Sequence, residues 1–344
     1  MYKIFSHFSS PKVLFNLQAL RAFAALNVVA LHTAVISPSY QLPVSIFKFF
    51  DGWGASGVDI FFVLSGFIMI FILSKNSPSP GKFFIDRITR IAPLYYFLTL
   101  LLFLSTLFFP ELFRTTSQIF FSHLLASIFF VNQFFYNSWP ILYDGWTLEY
   151  EMLFYLLLTI GLCLKNRGIS IGFVVLSIIM LSFYRLVDLI AIEFIFGIAA
   201  ALIFLYLPNR PWLFWVYFST GIIMLISQIV SDLSFIPGMQ YRTVRFGIPA
   251  FFLVLGLAGI ASIKKGLLTR LGDASYSIYL IQVFTIPAFY KGANILNRYS
   301  IIELIPNDLL ALGCITVTAC VGILVHYYCE VPLTQLARKA YAKY

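Results

Sequence analysis

The chain has 344 residues, 60% of them hydrophobic and 11% charged, with a mean hydropathy of +0.91. Soluble globular domains carry about 25% charged residues, so the composition excludes that class and predicts an all-α helix bundle that crosses a membrane many times. The net charge of +9 calls for no nucleic acid, because Lys and Arg gather at the inner membrane surface, where anionic lipid lies.

Apolar stretches of about 20 residues, the length that spans a bilayer, run Leu14 to Ile36, Trp53 to Ser74, Ile91 to Phe109, Trp146 to Leu164, Ile169 to Tyr184, Leu186 to Leu207, Trp212 to Val230, Phe246 to Ile263, Leu271 to Tyr290 and Leu309 to Tyr328. These ten predicted transmembrane helices place both termini on one side. With that side cytoplasmic, the inner segments hold fifteen of the 23 basic residues, Lys3, Lys12 and Lys343 among them, and the outer segments hold seven, including Arg114. The positive-inside rule therefore puts both ends in the cytoplasm, and the chain reads as a multi-pass protein of the inner or plasma membrane. It reads as one domain over 1–344 with a short basic cytoplasmic tail at 329–344. Arg21 interrupts the apolar core that a secretory leader would need, so the first span is expected to stay.

That first span carries Arg21 and His32. Eleven helical residues turn through about 1100°, three turns plus roughly 20°, and rise roughly 16 Å. Both side chains therefore share a face, one in the cytoplasmic half of the span and the other in the outer half. A polar stripe through an apolar layer is by default a site or a pathway, since a buried cation is costly unless paired or wetted.

The second span places Asp59 about two turns below the outer surface, among the small residues Gly54, Ser56, Gly57, Ser65 and Gly66. Two readings stay open: a functional intramembrane carboxylate, or a hydrogen bond to a closely packed neighbouring helix. Arg87 and Arg90 share a face at i, i+3 where the third span leaves the cytoplasm. They serve either as positive-inside anchors or as a fork for phosphates, and Arg21 on the same side favours the second reading.

The outer connection from Pro110 to Gly145 is rich in aromatics, including Phe129, Phe130, Trp139 and Tyr143. It is expected to lie in the interface or to re-enter the membrane, its rings acting as anchors or stacking on sugars. The fourth span opens at Trp146 with Glu149 and Glu151, whose side chains project roughly 200° apart, so at most one faces the bundle centre. Glu149 lies at a depth similar to that of His32, and a histidine beside a carboxylate is an arrangement suited to general base catalysis. We therefore expect His32 to face Glu149 or Asp59. His7, His123 and His326 read as structural. His326 and Glu330 at i, i+4 lack the further ligands a metal needs, and no metal is expected. Cys163, Cys314, Cys320 and Cys329 show no C-x-x-C spacing and read as packing residues.

Six blocks recur in order: Leu17-Gln18-Ala19-Leu20-Arg21 with His32, then Gly57-Val58-Asp59-Ile60-Phe61-Phe62-Val63-Leu64-Ser65-Gly66-Phe67, Arg87-Ile88-Thr89-Arg90-Ile91-Ala92-Pro93, Trp146-Thr147-Leu148-Glu149-Tyr150-Glu151, Leu271-Gly272-Asp273-Ala274-Ser275-Tyr276-Ser277-Ile278-Tyr279-Leu280, and Glu330-Val331-Pro332-Leu333. In this order the set resembles the acyltransferase 3 family of integral membrane proteins, which O-acylate cell-surface carbohydrates. The resemblance implies that His32 is the essential histidine, Arg21 its arginine partner, and Arg87 and Arg90 the pair used with the acyl-CoA donor. Many members have a histidine where this chain has Gln282, which cannot titrate, so a two-histidine mechanism is not expected here. No hydrolase-like domain of the kind some members carry is expected, and in this the chain resembles the stand-alone exopolysaccharide and O-antigen acetylases.

The expected function is transfer of an acyl group, most simply acetyl, from cytoplasmic acyl-CoA as co-substrate to a hydroxyl of a cell-surface polysaccharide or its lipid-linked precursor. Catalysis would rest on His32 and Glu149, acyl-CoA binding on Arg21, Arg87 and Arg90, and the acceptor side on Asp59 and Trp146. His32 would act as general base or carry the acyl group as a nucleophile. The rival readings are a glycolipid flippase, whose polar stripe would be a permeation route, and a receptor for an anionic ligand.

Overall fold

A computed structural model describes residues 15–108, 121–136, 138–206, 210–230, 241–299 and 304–341. Leu14, His7, the basic residues Lys3, Lys12, Arg114 and Lys343, and the last three residues of the tail lie outside the described residues. The described chain is all-α, with no strand among these residues. Its helices are α1 (Phe15–Ile36), α2 (Phe50–Trp53), α3 (Ser56–Lys75), α4 (Pro80–Phe108), α5 (Phe121–Ile128), α6 (Trp146–Leu162), α7 (Arg167–Phe183), α8 (Ile192–Tyr206), α9 (Pro211–Val230), α10 (Ile248–Gly259), α11 (Leu267–Asp273), α12 (Ser275–Arg298), α13 (Asn307–Val325) and α14 (Val331–Tyr341).

Six helical stretches are long and apolar enough to cross a membrane: Phe15–Tyr40, Ser56–Lys75, Pro80–Phe108, Leu189–Tyr206, Pro211–Ile229 and Asn307–Tyr341. Each of the other four expected spans corresponds to helix that is shorter, as in the 17-residue α6 and α7 and the 12-residue α10, or more polar, as in α12. Large apolar side chains such as Phe183, Ile223 and Leu324 point outward, as a lipid-facing surface requires.

α1 lies at the centre of the bundle and packs on α3, α11, α12 and α13. Small residues bring the backbones together, as they do wherever helices associate without a hydrophobic driving force between them. At the crossing of α3 and α8, a Cβ on Gly66 would stand 2.3 Å from the Phe194 carbonyl oxygen, and one on Gly197 would stand 2.1 Å from that of Val63. Asn16 ties the start of α1 to the end of α10. Its Nδ2 donates to the carbonyls of Leu257, Ile260 and Ala261 at 3.1, 3.1 and 3.2 Å, and its Oδ1 accepts from the Ile263 N–H at 2.9 Å. Carbonyls at and just past the end of α10, where the helix supplies no further N–H partners, are thus met by a side chain from another helix.

The described part of the aromatic connection before α6 folds into the bundle. Ile141, Leu142 and Asp144 are buried, while Phe129, Phe135 and Trp139 face outward. Glu149 holds this fold in place, because its carboxylate accepts from the Asn132 and Gln133 backbone N–H groups at 3.1 and 2.8 Å and from Asn132 Nδ2 at 2.8 Å.

Candidate active site

Because α1 is an unbroken helix, Arg21 and His32 project from one side of it, and each meets a different set of neighbours. His32 is largely buried, with its ring edge-on to Tyr143 at 5.1 Å between centroids. Its Nδ1 lies 3.9 Å from Oδ1 of Asp144, the carboxylate nearest to it among the described residues. Gln282, from α12, also neighbours the imidazole, and its Nε2 donates to Asp144 Oδ2 at 2.9 Å. The main-chain carbonyl of Asp144 accepts from Thr147 Oγ1 at 3.0 Å and from the Tyr279 hydroxyl at 3.1 Å.

The expectation that His32 faces Glu149 or Asp59 is therefore corrected. Both oxygens of Glu149 are taken by the loop at Asn132 and Gln133. Asp59 is fully buried and paired with Arg242: Nε donates to Oδ1 and Oδ2 at 3.1 and 3.2 Å, and Nη2 to Oδ2 at 2.9 Å. Of the two readings left open for Asp59, the geometry displays the second, an interhelical bond, with a guanidinium as the partner. Similar depth in the membrane did not bring these carboxylates to the histidine, because nearer donors had claimed them.

Arg21 and Arg90 line a single cavity of about 780 Å³ of empty space, counting its open mouth, together with Ser65, Glu151, Tyr155, Tyr276, Thr147 and Tyr279. Arg21 Nη1 donates to Gln18 Oε1 at 3.3 Å. Glu151 accepts from Ser65 Oγ at 2.9 Å and from the Tyr155 hydroxyl, and stands within electrostatic reach of Arg21 and Arg87. Tyr276 donates to the Ile91 carbonyl at 2.7 Å. The remaining wall is apolar, with Phe61, Phe62, Leu64, Ile68 and Met69. A cationic end thus leads along a greasy wall to the hydroxyls of Thr147 and Tyr279, which lie 3.0 Å apart and contact Asp144 next to His32.

Arg87 is off the cavity wall. It lies over the Phe83 ring at 5.9 Å and donates from Nη1 to the Met69 sulfur at 4.0 Å, while its buried Nε has no partner. Trp146 is away from His32, edge-on to Trp139 at 6.1 Å and beneath the Arg242 guanidinium at 5.9 Å. His326 bonds Glu330 Oε2 at 2.8 Å, an oxygen that also accepts from Ser277 Oγ at 2.6 Å, and His123 bonds Ser138 at 3.1 Å. Among the described residues, no group of three or more His, Cys, Asp and Glu is placed to hold a metal ion.

Sequence reasoning missed Asp144, Glu151 and Gln282 as neighbours of the stripe. Asp144 sits in a connection read as interfacial, and only its position directly before Gly145 and Trp146 marked it. The 200° divergence of Glu149 and Glu151 was legible, but not which of them the loop would take.

Residues 14–327 match a family profile described as an acyltransferase domain. The chain is 32% identical over 263 residues to the exopolysaccharide production protein ExoZ of Rhizobium meliloti, a match covering 70% of this chain and 78% of that protein. It is 27% identical over 204 residues to the O-acetyltransferase OatA of Staphylococcus aureus, covering 55% of this chain and 31% of that much longer protein. No solved structure matches it significantly. A family match over nearly the whole chain, on a bundle whose apolar helices line a basic-ended cavity, leads to one conclusion: the chain belongs to the acyltransferase 3 family and is a membrane acyltransferase.

Proposed function

We propose that this acyltransferase takes an acetyl group from cytoplasmic acetyl-CoA and transfers it to a hydroxyl of a cell-surface polysaccharide or its lipid-linked precursor, working in the inner or plasma membrane. The observation that carries this reading is the cavity that runs from Arg21 and Arg90 to Thr147 and Tyr279, one contact short of Asp144 and His32. Guanidinium groups at its basic end suit the phosphates of coenzyme A, and a narrow apolar wall suits the pantetheine arm. The two relatives support the acceptor class, one by its role in exopolysaccharide production and one by its O-acetyltransferase name.

In this reading His32 takes the proton of the acceptor hydroxyl as its oxygen attacks the thioester carbonyl. The C–S bond then breaks, and the imidazolium returns the proton to the departing thiolate, so the products are the O-acetyl ester and free coenzyme A. The test is purified protein with acetyl-labelled coenzyme A and isolated exopolysaccharide, reading label on the polysaccharide and release of free thiol. His32→Ala should lower transfer by about 10² to 10⁴, the usual contribution of general base catalysis. A folded His32→Ala protein with near-parent transfer would overturn the role of His32. Movement of a lipid-linked saccharide without thiol release would favour a flippase.

A further inference from the structure

We infer that Asp144, held in place by Gln282, is the positioning residue for His32: it accepts a hydrogen bond from Nδ1–H and so leaves Nε2 free to take the acceptor's proton. This rests on the reading of His32 as general base.

The argument begins with two carboxylates that flank the same short segment. Glu149 is spent, since three N–H donors from Asn132 and Gln133 fill its oxygens. Asp144 is equally buried, yet among the described residues no hydrogen bond reaches its Oδ1, and the polar group standing off that oxygen is His32 Nδ1 at 3.9 Å. Nδ1 itself is buried without a partner, and so is Gln282 Oε1. An unmet buried polar group costs about 1–3 kcal/mol, so the unmet Nδ1 gains by closing the 3.9 Å gap to Asp144 Oδ1. Such contacts are often long in the absence of substrate and tighten when it binds.

Asp144 is also fixed more firmly than a space-filling residue needs to be. Its main-chain carbonyl receives the hydroxyls of Thr147 and Tyr279, and its Oδ2 receives the Gln282 amide. Three bonds from two helices leave the carboxylate with a single free oxygen and a single direction. A carboxylate at Nδ1 selects the tautomer with the proton there and stabilises the imidazolium that forms when Nε2 takes a second proton. A charge appearing in so dry a place would otherwise be strongly disfavoured. Gln282 suits this task because it holds the carboxylate without competing for protons.

The chain has four histidines, which makes the test tractable. Full-length protein carrying ¹⁵N-histidine in lipid nanodiscs would be examined by NMR, with the four signals assigned through single variants at His7, His32, His123 and His326. The parent His32 should be neutral, with its proton on Nδ1 and a bare Nε2. Asp144→Asn should shift that proton toward Nε2 and lower kcat for acetyl transfer about 100-fold, with KM for acetyl-CoA changed less than threefold. Asp144→Glu should restore part of the loss. If Asp144→Asn does not fold, Gln282→Ala serves in its place and should lower kcat about five- to tenfold, again with KM held. A parent His32 that carries its proton on Nε2 overturns the proposal, and so does a folded Asp144→Asn protein with unchanged kcat and spectrum. A tautomer shift in Asp144→Asn, alongside a His32→Ala protein that still transfers acetyl, would keep the pairing and sink the general-base reading.

Discussion

Arg242→Ala is the perturbation whose cost can be worked most directly from the geometry. Asp59 is 0% exposed and receives three charge-assisted contacts from Arg242 at 2.9 to 3.2 Å, and Arg242 Nη2 also bonds the Ala55 carbonyl at 2.8 Å. Glu193 lies beside them, fully buried and next to Asp59 and Thr243. The guanidinium is therefore the cation paired with Asp59, with Glu193 within its electrostatic reach. Removing one member of a buried pair costs roughly 3–5 kcal/mol. The Arg242 side chain is 35% exposed, and solvent screening of that share brings the expected loss to about 2–4 kcal/mol. Asp59→Asn leaves a cation that can reach solvent and should cost less, about 1–2 kcal/mol. In the double variant Asp59→Asn with Arg242→Ala, the losses should fall short of the sum by about 1.5 kcal/mol or more. Reversible unfolding in mixed micelles, followed through thiol labelling of the buried Cys314, supplies the four values of the cycle. Additivity within about 0.5 kcal/mol would refute the coupling and make the contact incidental.

Arg90→Ala should raise the Kd for acetyl-CoA at least tenfold by calorimetry, with lysine restoring only part because it lacks the fork; Arg87→Ala should have the smaller effect, since that side chain lies off the cavity wall. Gly197→Ala forces a Cβ to 2.1 Å from the Val63 carbonyl oxygen and 2.7 Å from the Phe67 nitrogen, backbone atoms that cannot step aside. It should cost about 3 kcal/mol or more, whereas Gly292→Ala in α12, with open space at its Cβ, should leave the midpoint unchanged or slightly raised. Asn16→Ala strips three carbonyls and one N–H of their partner and should destabilise by about 2–3 kcal/mol, read in the same micelle assay.

What was legible in the sequence is what local geometry decides. Apolar length announces the helices, and a continuous helix fixes Arg21 and His32 on one side whatever surrounds it. The divergence of Glu149 from Glu151 follows from helical pitch alone. What was not legible depends on chain returning from far away. Arg242 reaches Asp59 across 183 positions and Gln282 reaches Asp144 across 138, and no periodicity encodes such meetings. Glu149 was assigned to His32 because their depths agreed, but depth is one coordinate of three, and the nearby loop supplied Asn132 and Gln133 first.

The hydroxyl contacts at the inner end of the cavity bear on something other than catalysis. Thr147, Tyr279 and the Asp144 carbonyl form a closed knot of hydrogen bonds between the basic chamber and the histidine. A membrane that holds an ion gradient tolerates no continuous thread of water through the proteins that cross it. Here a few interlocked hydroxyls, rather than a thick plug, stand between the cavity wall and the carboxylate beside His32. Thinning that knot would be felt first as leak current and a fallen membrane potential.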